Sequence, residues 1–290
     1  MAKISEVGEE CLVRRILKLL SLRGADAHEY DSSGIFLTVD QLVQGYHFPG
    51  VYEPRVLGKG ALRVSLSDLA AVGAEPIAFA DAILVPGDAD VEVVEGIIRG
   101  LAEDADYFDL APLGGDTKEG PLLSVSVTAL GLVDGRRVGR CCPSSGDLIV
   151  VSGPLGRGFR AFEIMQGDPL EGLRMMYLFE PRIEEGQELR EVASSMTDLS
   201  DGLFRGVRIL ASGLGARVDL DSVPLVDGLG DPVEALSFGQ DYELLATVPR
   251  DADLPEWAFV IGEVGGGSFT LVSDGREMEM PRGWTHFGKR

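Results

Sequence analysis

Apolar positions along the chain follow two rhythms. Residues 5–21 alternate in an amphipathic helical pattern, and over residues 54–72 Leu57, Ala61, Val64 and Leu69 recur near helical spacing. Helices are also expected over 90–105 and near 156–166, 184–193 and 202–213. Short apolar or alternating runs predict strands at Ile35–Val39, Ile77–Val85, 121–133 (with Leu123, Val125 and Val127 in alternation) and Leu148–Ser152. Further strands are expected near 216–220, 242–248 and 257–262. Strand runs and helix runs are mixed without strict alternation, which points to an α+β (layered α/β) fold.

Length then divides the picture. A chain of 290 residues exceeds a usual single core, so two domains are expected. The stretch DGRRVGRCCPSSGD (134–147) separates two groups of elements, placing the boundary near 140–147 and the domains at 1–142 and 143–290. No run of 18 apolar residues is available to span a bilayer, and the opening segment, with Glu6, Glu9 and Glu10, lacks the plan of a signal peptide. A cytoplasmic protein with no membrane partner is the expectation. Adjacent Cys141 and Cys142, with Cys11, show no zinc-ligand spacing and read as reduced thiols. The net charge of −21 argues against nucleic acid as a partner, which normally leaves a basic footprint.

Candidate chemistry lies in the aspartates. Asp40 ends IFLTVD, Asp68 lies in RVSLSDLAAVG, Asp116 follows two glycines in LAPLGGDT, Asp198 and Asp201 share MTDLSDGL, and Asp26 lies in RGADAHEY. Each alone has an ordinary reading: Asp201 as a helix cap, Asp116 as a turn residue. Together they suggest more, because Asp40 and Asp68 sit among apolar neighbours and a buried charge needs compensation. Two carboxylates about 4 Å apart repel by roughly 4 kcal/mol at an intermediate dielectric. Oxygen-only ligands point to a hard cation, magnesium or manganese. The glycines of GGDT and the turn SGPLGRGFRA (152–161) offer backbone amides to a phosphate, the second at a helix start, with Arg140 and Arg160 as nearby cations or plain surface arginines. The chain contains no GxSxG, no cysteine–histidine pairing and no protein-kinase motif set, so covalent acyl chemistry is disfavoured. Transfer of a phosphoryl group onto an existing phosphate needs only alignment and charge neutralisation.

The segments TVDQLVQGYHF (38–48), SLSDLAAVGAEP (65–76), LGGDTKEGPL (113–122), TDLSDGL (197–203) and FGQDYELLATVP (238–249) resemble, in order and spacing, the thiamine-monophosphate kinase family of the aminoimidazole ribonucleotide synthetase-like superfamily. The resemblance runs from about residue 6 to THF (285–287). It implies a two-domain protein whose N-terminal domains pair in a homodimer with shared sheet structure, ATP bound near the interface. It also implies ATP-dependent phosphorylation of thiamine monophosphate by direct in-line transfer. By motif position it implies magnesium ligands at Asp26, Thr38, Asp40, Asp68, Asp116, Asp198 and Asp201. ATP contacts are implied at Gly115, Asp116, Arg140 and Ser200, and substrate contacts at His47, Gln240 and Trp284. The chain departs from the family pattern at Ala25, where a second aspartate is usual, and at Val39, Gln44 and Gln240. Pro281 stands at the usual aromatic position, with Trp284 as a substitute. These changes leave open a related enzyme with another small acceptor, or a nucleotide-binding regulatory protein.

Overall fold

The computed structural model describes residues 9–20, 22 and 24–283. The first half comprises helix α1 (Glu9–Leu20), strands β1 (His28–Tyr30) and β2 (Ile35–Val43), helix α2 (Pro54–Ala70), strand β3 (Glu75–Val85), helix α3 (Val91–Tyr107), and strands β4 (Ala111–Glu119) and β5 (Ser124–Leu132). Its five strands form one sheet in the order β1-β2-β5-β3-β4. Strand β6 (Leu148–Val151), helices α4 (Arg157–Met165), α5 (Pro169–Tyr177) and α6 (Ile183–Val192), strand β7 (Ser195–Asp198), helix α7 (Leu203–Leu210), strand β8 (Ala216–Asp219) and helix α8 (Pro232–Phe238) follow. Strands β9 (Leu244–Val248), β10 (Phe259–Val264), β11 (Phe269–Ser273) and β12 (Arg276–Glu279) complete a seven-stranded sheet ordered β12-β11-β8-β10-β6-β9-β7. The mixed, layered α/β architecture matches the expected class. Among the described residues no helix is long and apolar enough to cross a membrane.

Several elements differ from expectation, each for a local reason. The expected strand Ile35–Val39 continues to Val43, because Gln41 and Val43 still pair with Ser126 and Ser124 of β5. GGDT is not a turn: it lies inside β4, which pairs in parallel with β3 at the sheet edge. Helix α5 begins on Asp168, whose carboxylate accepts the Glu171 amide, with Pro169 at its first position.

Helix α2 organises the molecule. One face lies on β2 and β5, where Leu62, Leu66 and Leu69 are buried with Phe36, Val125 and Val127. Its other faces receive α3, α5 and α6, so Tyr177 and Phe179 from the second half join the core of the first. A further apolar cluster joins Ala70 and Ala71 to Leu189, Met196 and Leu244. The C-terminal turns of α2 therefore press against β7.

Close approach of α2 to α3 depends on two glycines. A β-carbon at Gly58 would meet the Ile97 carbonyl oxygen at 2.1 Å, and one at Gly100 would meet that of Arg55 at the same distance. A mid-helix Gly-to-Ala change is ordinarily favourable by ~1 kcal/mol. Here Gly100→Ala is expected to destabilise by about 1–3 kcal/mol, as overpacking does, read as a lowered urea midpoint. An unchanged or raised midpoint would contradict the packing described.

Candidate active site

The site is assembled where three chain segments meet. Strand β2 alternates, so Phe36, Thr38, Asp40 and Leu42 face α2 while Leu37, Val39 and Gln41 face away. Thr38 is buried and donates to Asp68 on α2. One residue earlier, Ser67 crosses to the second half and donates to Asp198 at 2.8 Å. Asp198 ends β7, and the Ser200 hydroxyl reaches its other oxygen at 3.2 Å. Asp26, just ahead of β1, accepts from Thr197 at 2.9 Å. Carboxylate oxygens of Asp26, Asp68 and Asp198 lie within 4.8 Å of one another.

The Arg140 guanidinium answers this charge directly. Arg140 holds both oxygens of Asp26, donating from Nε at 3.0 Å and also from Nη2, and its Nε reaches the Thr197 hydroxyl at 3.1 Å. Burial opposes the charge on Arg140, but Asp26, Asp198 and Asp68 outweigh it and hold the guanidinium fully charged. The carboxylates remain overcrowded. Burial, then repulsion from Asp26, pushes Asp198 up to about 7. Burial, with the charges of Asp201 and Asp26, pushes Asp40 up to about 6 although it shares a hydrogen bond with Asp68. Asp68 is raised well above its ordinary value by burial, followed by the charges of Asp40, Asp198 and Asp26.

A cleft of about 580 Å³ opens over this cluster, within the range of small-molecule sites. Asp26, Thr38, Asp40, Asp68, Arg140, Ser200, Asp201, His47 and Gln240 all line it. Asp201 does not cap α7, whose N-cap is Gly202; it pairs with Arg205 one turn on, at 3.4 Å. His47 accepts the Val43 amide at Nδ1 (3.0 Å), so the neutral imidazole carries its proton on Nε2. Trp284 lies outside the described residues.

Four expectations meet a different arrangement. Gly115 and Asp116 do not line the cleft. Across the sheet Asp40 aligns with Val127, Asp81 and Gly115, whereas Asp116 aligns with Ala82, Ser126 and Gln41. Asp116 therefore points from the opposite face, about 14 Å away at three strand spacings, and pairs there with Lys118. The amides of SGPLGRG are not free for phosphate: those of Gly156 and Gly158 bind the buried Asp241 carboxylate at 2.9–3.1 Å. Arg160 pairs with Glu163 on its own helix, at 3.2 Å. Gln44 is structural, its Oε1 accepting the Leu123 amide at 3.2 Å. Sequence reasoning passed over Ser67, Thr197 and Tyr242. The first two directly precede ligand-type aspartates, and all three lie within the motifs already singled out.

The architecture and motifs have counterparts of known kind. The AIR synthase related protein N-terminal domain model matches residues 24–133, and the C-terminal domain model matches residues 144–273. The thiamine-monophosphate kinase of Pyrococcus abyssi is 32% identical over 270 residues, covering 88% of this chain and 87% of the relative. That of Escherichia coli K12 is 39% identical over 232 residues, covering 74% and 71%. The chain belongs to the thiamine-monophosphate kinase branch of the AIR synthase related family. Among solved structures, AaThiL complexed with AMPPCP and TMP is similar over 99% of both chains, with a TM-score of 0.89 and 29% identity.

Within this family framework the donor set suits a hard divalent cation. The converging groups are all oxygen, three of their carboxyls are raised above their ordinary values by burial and mutual repulsion, and Arg140 neutralises only part of the charge. The raised values fix a pH dependence. Asp40 and Asp198 hold protons in the folded chain up to about 6 and 7, but release them near 3.8 when exposed. Between those limits the folded state binds more protons than the unfolded one, so stability falls as pH rises. Without divalent metal, Tm is expected to drop by several degrees between pH 5 and pH 8, with a shallower slope in Asp198→Asn. Added magnesium should raise Tm more at pH 8 than at pH 5. A metal-free Tm that climbs toward pH 8 would refute the clustered arrangement.

Proposed function

We propose that this protein transfers the γ-phosphoryl group of ATP to the phosphate of thiamine monophosphate, giving thiamine diphosphate and ADP by direct in-line displacement. The observation that carries this reading is the aspartate cluster at the junction of α2, β2 and β7, in a chain similar from end to end to AaThiL complexed with AMPPCP and TMP. Asp26, Thr38, Asp40, Asp68, Asp198 and Asp201 would hold magnesium ions. Magnesium bound there supplies charge neutralisation for the phosphates and for the transferring group. The acceptor oxygen is already anionic, so no side chain has to act as nucleophile or strong base. The β,γ-bridging bond of ATP breaks as the new P–O bond forms, and the electron pair leaves on ADP.

The chain's own residues then have positional tasks. Arg140, oriented by Asp26 and Thr197, sets a fixed positive charge at the cleft wall. Ser200 and the backbone around it approach the nucleotide, and His47 offers its Nε2 proton to the acceptor phosphate. Gln240 lies on the substrate side. Residues 1–142 and 143–290 act as the two domains, and an ATP-consuming biosynthetic kinase belongs in the cytoplasm.

Gly115 and Asp116 enter through a homodimer. The sheet face opposite α2 exposes Leu37, Val39 and Leu132, with Val39 62% exposed. All nine residues of β4 are exposed. A contiguous apolar sheet face of this kind calls for a partner. Pairing two copies on it carries GGDT to the partner's cleft, so each site takes Asp26 from one chain and Asp116 from the other.

Purified protein with ATP, magnesium and thiamine monophosphate should form thiamine diphosphate and ADP. ATP binding without that product would overturn the acceptor and favour another small phosphorylated substrate, which the change at Gln240 would then explain. Asp26→Asn and Asp116→Asn should each be nearly inactive. Refolded together in equal amounts they should regain about a quarter of wild-type activity, because half the dimers are mixed and each mixed dimer has one intact site. No regain would place both aspartates in the same chain's site.

A further inference from the structure

The segment after α8 is held in an unusual backbone path. Gln240 (φ +62°) and Tyr242 (φ +56°) both occupy the left-handed region, and for a bulky aromatic this is a true outlier. Such conformations persist only where the surroundings impose them, and they concentrate at functional sites.

The surroundings here are explicit. Between the two residues, the Asp241 carboxylate is buried in the amides of Gly156 and Gly158 at the start of α4. Arg157 grips the same peptides from the other side, donating to the carbonyls of Gln240 (3.1 Å) and Asp241 (2.9 Å). Its guanidinium lies 5.0 Å from the centre of the Phe179 ring, and Phe179 stacks on Tyr242 at 4.4 Å with 2° between the planes. The amides of Gln240 and Tyr242 are tied to the carbonyls of Ser200 (2.8 Å) and Leu199 (3.2 Å). Every anchor serves one result: the side chains of Gln240 and Tyr242 are both aimed into the cleft wall.

There they meet. The Tyr242 hydroxyl donates to Gln240 Oε1 at 2.9 Å. Tyr242 is only 5% exposed, so few alternative partners are available to its hydroxyl. With Oε1 engaged, the Nε2 protons are what the Gln240 amide has left to offer an occupant of the cleft it lines. We propose that Tyr242 is a positioning residue that fixes the Gln240 amide, so that the substrate end of the cleft selects a hydrogen-bond acceptor. This rests on the thiamine monophosphate reading, under which that acceptor is a ring nitrogen of the aminopyrimidine. A glutamate at position 240 would present acceptor oxygens instead and favour a donor or a protonated ring.

Steady-state kinetics of Tyr242→Phe, which keeps the ring stack and removes only the hydroxyl, test the proposal. The KM for thiamine monophosphate should rise by about tenfold, the scale of one neutral hydrogen bond, with kcat and the KM for ATP held within about twofold. Gln240→Ala should raise the same KM, and adding Tyr242→Phe to it should cost nothing further, because Tyr242 acts through Gln240. A KM unchanged in Tyr242→Phe, additive effects in the double variant, or an equal loss of ATP affinity would overturn it. A second readout needs no turnover: the side-chain amide of Gln240, followed by NMR in protein carrying 15N-glutamine, should be ordered in the wild type and mobile in Tyr242→Phe. Equal order in both would overturn the lock. Failure of the wild type to phosphorylate thiamine monophosphate, with the NMR difference intact, would instead overturn the substrate assignment.

Discussion

Crowding of buried carboxylates around the Arg140 guanidinium is the constraint on which this structure turns. Asp26, Asp68 and Asp198 come from three separated segments, and none of those segments gains by burying a charge beside another. Hydroxyls are set against the oxygens wherever the backbone allows it: Thr38 on Asp68, Ser67 and Ser200 on Asp198, Thr197 on Asp26. Arg140 supplies the positive charge. The remainder of the repulsion is stored as raised carboxyl affinities for protons, so the fold keeps an electrostatic deficit that a hard cation with its bound phosphates is suited to fill.

Packing elsewhere keeps that deficit from dispersing. Helix α2 carries Ser67 and Asp68 and is clamped on one side by the sheet and on the other by α3 at backbone-contact distance. The apolar cluster that includes Ala70, Leu189, Met196 and Leu244 fixes β7 against the end of the same helix. The two sheets thus meet through one helix, and the aspartates sit at that meeting. By contrast, the edge strand β4 and the outer face of its sheet are left uncovered, which is where a second copy enters the functional reading.

Much of this was legible in the sequence, and the exceptions are instructive. Apolar neighbours marked Asp40 and Asp68 as charges whose burial requires compensation, and the structure supplies hydrogen-bond partners for both. The sheet face of Asp116 was not legible, because GGDT has the composition of a turn and its extended path depends on pairing with β3, far away in sequence. SGPLGRG has the local form of an anion site, and it is one. Its anion is Asp241 from the same chain, a contact between residues some 83 apart that no local pattern announces. Position 240 could be marked as a departure from the family, but not as half of a pair with Tyr242, because the pairing depends on two left-handed residues.

The turn at 198–201 and the segment at 240–243 also share their hydrogen bonds. The backbone of 199–200 receives the amides of Gln240, Asp241 and Tyr242, and the Leu199 amide is accepted by the Glu243 carbonyl. The Asp198–Asp201 side of the cleft and its Gln240 side are therefore one mechanical body rather than two walls that adjust separately. An occupant that stiffens the Asp198–Asp201 turn also stiffens the support beneath Gln240. With nucleotide and thiamine monophosphate placed as proposed, the two would share a thermodynamic link whose magnitude must be the same whichever binds first.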